Sequence, residues 1–266
     1  MPAIYAHYIF GKRVYAALPA SEKRIIKKGK DAFLLGLHGP DLLFYYYPVC
    51  KNRINQSGVQ MHKELAADFF EKGRMLFKED KDPVLRAYLY GFLCHFILDS
   101  ECHSYINSYI KEHDVGHLAI ETEFDRYLMK LGGHDPLTYI PVHHLISRVH
   151  TRRQISRILG TVSPGQVGAC IRTFRRVITF FICRKPEKRW LLRRLSKVAG
   201  QDRQIGGLIM DGQVHPECRE SNRFLMRRLG LSVRLASEEI QKYSHAMDEG
   251  GLLSVRLYRN YEEEEN

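Results

Sequence analysis

Two runs of imidazoles and carboxylates at helical spacing lie within 27 residues of this chain. They are His95-x3-Asp99-x3-His103, inside GFLCHFILDSECHSY, and His117-x3-Glu121, inside GHLAIETEFDRYL. A helix turns about 100° per residue, so side chains four apart stand about 40° out of line and share a face. His95, Asp99 and His103 form one stripe, and His117 with Glu121 forms a second on the next helix. Mixed imidazole and carboxylate donors suit divalent zinc. At a rise of about 1.5 Å per residue, His95 and His103 lie about 12 Å apart along the axis. Zinc bonds are only about 2.0–2.2 Å long, so one ion is not expected to take both histidines. The stripe instead serves two or more ions, with Asp99 between them offering both oxygens. Hydrolytic sites with paired metals space them about 3.5–4 Å apart, which a bridging Asp suits. As plain helix contacts, such pairs contribute only about 0.2–0.5 kcal/mol. Asp99 sits among Leu93, Phe96, Ile97 and Leu98, where an uncompensated charge is costly.

The elements that must position these residues read as helices almost throughout. Apolar periodicity predicts helices over 3–18, 21–37, 59–78, 84–110, 114–131, 140–159, 164–183, 187–199 and 219–247. Residues 44–58 read as loop, punctuated by Pro48 and Gly58. The two stripes fall on the helices at 84–110 and 114–131. Further donors precede them. His7 lies on the first helix, and Asp41 follows the rigid turn Gly39-Pro40. His62 sits in the first turn of the helix expected over 59–78. The fold class is all-α, a multi-helix bundle with a basic helical C-terminal part. The expected division is a metal-binding core over 1–135, a basic helical part over 136–260 packed on it, and an acidic disordered tail over 261–266.

Length and charge bound the rest. A chain of 266 residues with 44% hydrophobic content is ample for one large core. No apolar run reaches the length of a membrane span, so no transmembrane segment is expected. The first residues lack the marks of a secretory signal, which leads to a cytoplasmic expectation. The six cysteines show no C-x2-C pair and are expected as reduced thiols, with Cys94 and Cys102 packing off the donor stripe. Residues 147–266 hold 23 Lys and Arg against 13 Asp and Glu, whereas the first 146 hold 18 against 17. The rear is therefore basic. Arg172, Arg175, Arg176, Arg193, Arg194, Arg227 and Arg228 recur at helical spacing, and a shared face would attract an anionic membrane or a nucleic acid.

In order along the chain stand His7, Pro40-Asp41, His62, His95-x3-Asp99, His103 and His117-x3-Glu121. This ordered set resembles the zinc-dependent phospholipase C family, which shares its domain with GPI-specific phospholipase D. More remotely it resembles the fungal zinc nucleases of the same all-helical fold. The resemblance covers about residues 1–130 and implies a bundle of the zinc-dependent phospholipase C type. It also implies three zinc sites. Asp41, His62, His95 and Asp99 would hold one ion, and His103, His117 and Glu121 a second. His7 with Asp99 would contribute to a third. In secreted relatives that third site uses an N-terminal amine freed by cleavage, and here Met1 or Pro2 could replace it only after N-terminal processing. Two zincs are therefore the expected count.

The implied activity is hydrolysis of a phospholipid-like phosphodiester by a zinc-activated water, with Asp41 as general base. Zinc brings the pKa of bound water toward about 7. Tyr45, Tyr46 and Tyr47 are candidates to line a headgroup or base pocket, set against simple packing on the core. His38 is a candidate neighbour of the ligands. Two other readings stay open: a zinc nuclease or nucleotidase, and a non-catalytic, metal-stabilised adaptor that binds an acidic partner.

Overall fold

Asp82 and Pro83 start the helix that organises the molecule. Asp82 accepts a hydrogen bond from the Val84 amide at 2.7 Å, and Pro83 takes the first helical position, where no N–H is needed. The helix runs Pro83–Glu112 and is buried without a break from Leu85 to Ser100. A helix apolar on every side belongs at the centre of a bundle. The computed structural model describes residues 4–200 and 206–261, and among these there is no strand. The expected all-α bundle is the fold.

In chain order the helices are α1 (Ile4–Ala17), α2 (Ala20–Lys28), α3 (Lys30–Gly36), α4 (Arg53–Met61), α5 (Ala66–Asp80) and α6 (Pro83–Glu112). Then come α7 (His117–Leu131), α8 (Val149–Leu159), α9 (Pro164–Phe181), α10 (Pro186–Val198) and α11 (Arg219–Glu249). A 3₁₀ segment, Gly39–Tyr45, follows α3. Among the described residues no helix is long and apolar enough to cross a membrane.

Two glycines set the approach of α3 to α6. A Cβ on Gly36 would lie 2.3 Å from the Tyr88 carbonyl oxygen, and one on Gly91 would lie 2.1 Å from that of Phe33. The backbones touch because neither residue has a side chain. On another flank, α11 is tied to α6 and α5. Arg86 donates to both oxygens of Asp248 at 2.7 and 2.6 Å, and Tyr90 donates to Ser244 Oγ at 2.9 Å. Tyr243 donates to the Phe70 carbonyl at 2.7 Å. The longest helix of the basic rear thus shares one core with the front half.

The structure corrects several boundaries. The helix expected over 21–37 is two, broken at Gly29, where a Cβ would meet that of Ala87 at 2.6 Å. Within the expected loop over 44–58, Arg53 begins α4. Asn52 and Asn55 cap it reciprocally, a signal that competes successfully with Gly58. His62 accordingly follows the end of α4 rather than opening a helix, and the chain turns before α5 resumes at Ala66. Residues 140–148 are irregular, and α8 starts only at Val149. Tyr261, expected to begin a disordered tail, is buried at 2% exposure. The acidic residues 262–265 and the final Asn266, like Met1 and Pro2, lie outside the described residues.

Candidate metal centre

Asp99 stands where the histidine-bearing elements meet. Its Oδ1 lies 3.5 Å from His7 Nε2. Its Oδ2 lies 3.5 Å from His95 Nε2, 3.5 Å from His103 Nδ1 and 3.8 Å from His62 Nε2. His95 and His103 come from the same helix, one turn above and one below. Their rings lean toward the carboxylate between them. Asp41, on the 3₁₀ segment, places Oδ1 3.1 Å from His62 Nε2. On α7, His117 Nε2 is 3.3 Å from Glu121 Oε1. The His103 and His117 rings, 5.5 Å apart, join the two stripes. All eight donors singled out in the sequence therefore fall in one contiguous cluster.

The cluster subdivides differently from the assignment the resemblance implies. Ligand atoms of His7, His95 and Asp99 lie within 4.8 Å of one another, and so do those of Asp41, His62 and His95. His95 thus belongs to both groups, and its ring stacks on His7 at 4.5 Å.

The donor set fits zinc on three observations. His62 Nε2, His95 Nε2, His103 Nδ1, His117 Nε2, Asp99 Oδ2 and Glu121 Oε2 are all buried with no hydrogen-bond partner. Buried polar atoms are otherwise almost always paired, so this many converging lone pairs call for a cation. The recurring 3.3–3.5 Å separations exceed the about 2.7–2.9 Å of a charge-assisted hydrogen bond. They match the roughly 3.4 Å edge of a tetrahedron built on bonds of about 2.1 Å. Finally, His7, Asp99, His103 and Glu121 line a small cavity of about 20 Å³, room for about one water-sized sphere.

Residues around the donors aim them. His62 Nδ1 donates to the Gly58 carbonyl at 2.8 Å, which turns Nε2 toward the other donors. Gly39 has φ +45°, and a Cβ there would lie 2.2 Å from the His95 ring. Only glycine lets the Gly39-Pro40-Asp41 turn close on that histidine. Asp125 accepts hydrogen bonds from the Tyr5 and Ala6 amides at 2.9 and 2.8 Å. It caps the first turn of α1 from α7 and so fixes His7. Sequence reasoning missed Asp125, although it continues the stripe His117, Glu121 by one more turn. It also missed Tyr261, whose ring lies 4.7 Å from His62 and 5.7 Å from His95. No local signal marks Tyr261, because only the packing of the C-terminal segment brings it there.

Charge states suit metal binding. Burial is the largest influence on His95 and takes its pKa down to about 3, so the ring is neutral. Burial opposes the Asp99 anion, yet His103 and His7 hold its pKa well below the usual carboxylate range. Burial lifts Asp125 to about 7 against its two amide donors.

Other candidates land elsewhere. His38 pairs with His144, Nε2 to Nε2 at 2.9 Å, rather than joining the donors. Tyr45 packs on Phe174 at 3.9 Å, whereas Tyr47 is exposed and 4.8 Å from Tyr46. The six cysteines are free thiols, and Cys94 and Cys102 are buried. The seven candidate arginines of the rear are exposed but spread over α9, α10 and α11. Arg193 pairs with Asp211 at 2.7 Å and Arg228 with Glu101 at 3.5 Å.

The centre has an open side. The His117 side chain is 29% exposed, whereas that of Glu121 is only 2% exposed. Next to it, Gly116 and Ala119 line a cleft of about 500 Å³, faced by Arg193 and Lys197 of α10. A family model described as zinc dependent phospholipase C matches residues 6–176, a span that includes all eight donors. No curated protein and no solved structure matches the chain.

Proposed function

The chain belongs to the zinc-dependent phospholipase C family, and from that premise we propose that it hydrolyses a phospholipid-like phosphodiester. The observation that carries the proposal is the cluster of eight donors, in which His62, His95, Asp99, His103, His117 and Glu121 hold buried polar atoms without a hydrogen-bond partner, open at His117. A closed structural site would leave no open side.

His7, Asp41, His62, His95, Asp99, His103, His117 and Glu121 are the residues that would hold the ions, two of them being the expected count. Bound zinc supplies Lewis-acid polarisation of phosphoryl oxygens and a water whose pKa falls toward about 7. The chain's own residues do the rest. Asp99 spaces the histidines, and the Gly58 carbonyl keeps the His62 proton on Nδ1. Asp41 Oδ1 takes the proton of the attacking water. The buried shell around Asp41 and Asp99 excludes competing solvent.

Elemental analysis of the purified protein, paired with hydrolysis assays on phosphatidylcholine, a nucleotide diester and single-stranded nucleic acid, tests this. About two zinc equivalents, lost in His95→Ala and in His117→Ala, are expected together with turnover of the phospholipid. A folded, active, metal-free protein overturns the zinc chemistry. Turnover of nucleic acid alone overturns the substrate class.

A further inference from the structure

α10 is a helix with its apolar side turned outward. Among its residues only Ser196 is buried. Trp190, Leu191, Leu195 and Val198 are 60%, 49%, 55% and 82% exposed. At about 100° per residue, Leu191, Leu195 and Val198 fall within about 60° of one another, and Trp190 lies about 80° round from Val198 with Arg194 between them. Single exposed apolar residues are ordinary, but an aligned group of this kind marks an interaction surface.

The charges around this stripe name the partner. Arg194 lies over the Trp190 ring at 5.2 Å. Arg184, Lys185 and Lys197 are exposed at the two ends of the helix, and Glu187 is its one acidic residue. At the start of α10, Lys188 lies 4.7 Å over the ring of Phe180, itself 53% exposed at the end of α9. The surface therefore continues onto α9. A protein interface depletes lysine at its core. An apolar stripe with tryptophan, edged by Lys and Arg, is instead the pattern of a helix lying in a membrane interface.

We propose that α10 docks this protein onto an anionic lipid surface, with Trp190, Leu191, Leu195 and Val198 entering the headgroup boundary and Arg184, Lys185 and Arg194 meeting the headgroups. On the flank beyond Trp190, the same helix presents Arg193 and Lys197 to the cleft beside His117. Docking would therefore hold the mouth of that cleft next to lipid. The proposal goes beyond the catalytic reading and does not depend on it, since binding is measured without turnover.

Trp190 is the single tryptophan of the chain, so its emission reports on α10 directly. The full-length protein is titrated with vesicles of phosphatidylcholine alone and of phosphatidylcholine mixed with phosphatidylglycerol. The Asp41→Asn chain is run in parallel to separate binding from hydrolysis. The mixed vesicles should shift the emission to shorter wavelength and pellet the protein, and high salt should weaken both effects. Each basic residue near an anionic surface contributes about fivefold in partitioning. Replacing Arg184, Lys185 and Arg194 together by Glu should therefore cost roughly a hundredfold or more. Leu191→Ser with Leu195→Ser should cost at least about tenfold, since each removes buried apolar area. These positions are exposed, and circular dichroism checks that the helices remain. No emission shift on mixed vesicles overturns the proposal. So does binding with Trp190 emission unchanged, which puts the contact elsewhere. A lipid-free shift that grows with protein concentration overturns it in favour of a second copy of the chain.

Discussion

Asp99 faces four histidines, with Oδ1 toward His7 and Oδ2 toward His62, His95 and His103. A carboxylate can do this only from the middle of the stripe, one turn from each helical neighbour. Asp41 is different. It sits on a 3₁₀ turn beside His62 rather than within the stripe, so its carboxylate flanks the cluster instead of standing between the histidines of α6. Asp41→Asn keeps one oxygen as a ligand and removes the base. The expected result is near-normal zinc content with turnover reduced by about 10²–10⁴, the usual contribution of general base catalysis. Metal content and initial rate on the same preparation check it, and an unchanged rate at normal zinc excludes Asp41 as the base.

At the scale of elements, the centre depends on how closely α3 and the turn after it approach α6. Replacing Gly by Ala inside a helix usually stabilises by about 1 kcal/mol. At Gly91 that gain is opposed, because the new Cβ would lie 2.1 Å from the Phe33 carbonyl oxygen, a backbone atom that cannot swing away. Forced overpacking costs typically about 1–3 kcal/mol or more, so the clash wins. Gly91→Ala should lower stability, whereas Gly230→Ala, with nothing within 4 Å of the new Cβ, should raise it by about 1 kcal/mol. Urea denaturation of both variants is the comparison. Equal stabilisation by the two would contradict the close crossing of α3 and α6. A less stable Gly91→Ala should also lose zinc, because Gly39 and Asp41 are carried by the chain leaving α3.

Over the whole molecule, the donors come from α1, the 3₁₀ turn, the end of α4, α6 and α7. Metal bound there would tie together five segments that are far apart in the sequence. Ligand binding to the folded state stabilises it by about 4 kcal/mol at a thousandfold excess over Kd. For a chain of this size, that corresponds to about 8–16 °C in Tm. Prolonged chelation should therefore lower the melting temperature by about that much, and added zinc should restore it. Calorimetry before and after chelation checks this. An unchanged melting temperature after proven metal loss would mean that the centre adds nothing to the fold.

The ligand types were legible in the sequence because helical periodicity is a local property. Four-residue spacing puts His95, Asp99 and His103 on one face whatever surrounds them, and the Gly39-Pro40 turn ahead of Asp41 is equally local. The all-α class followed from the same periodicity. What tertiary structure alone decided is which donors share a position. His95 lies between His7 and His62 because α1 and the α4 end pack on either side of it. Asp125 faces the first turn of α1 across 120 residues, and Tyr261 reaches His62 and His95 only when the C-terminal segment folds back. The outward stripe of α10 was hidden for the same reason. Amphipathic periodicity tells which residues share a face, but whether that face meets the core or solvent depends on the space the rest of the bundle leaves.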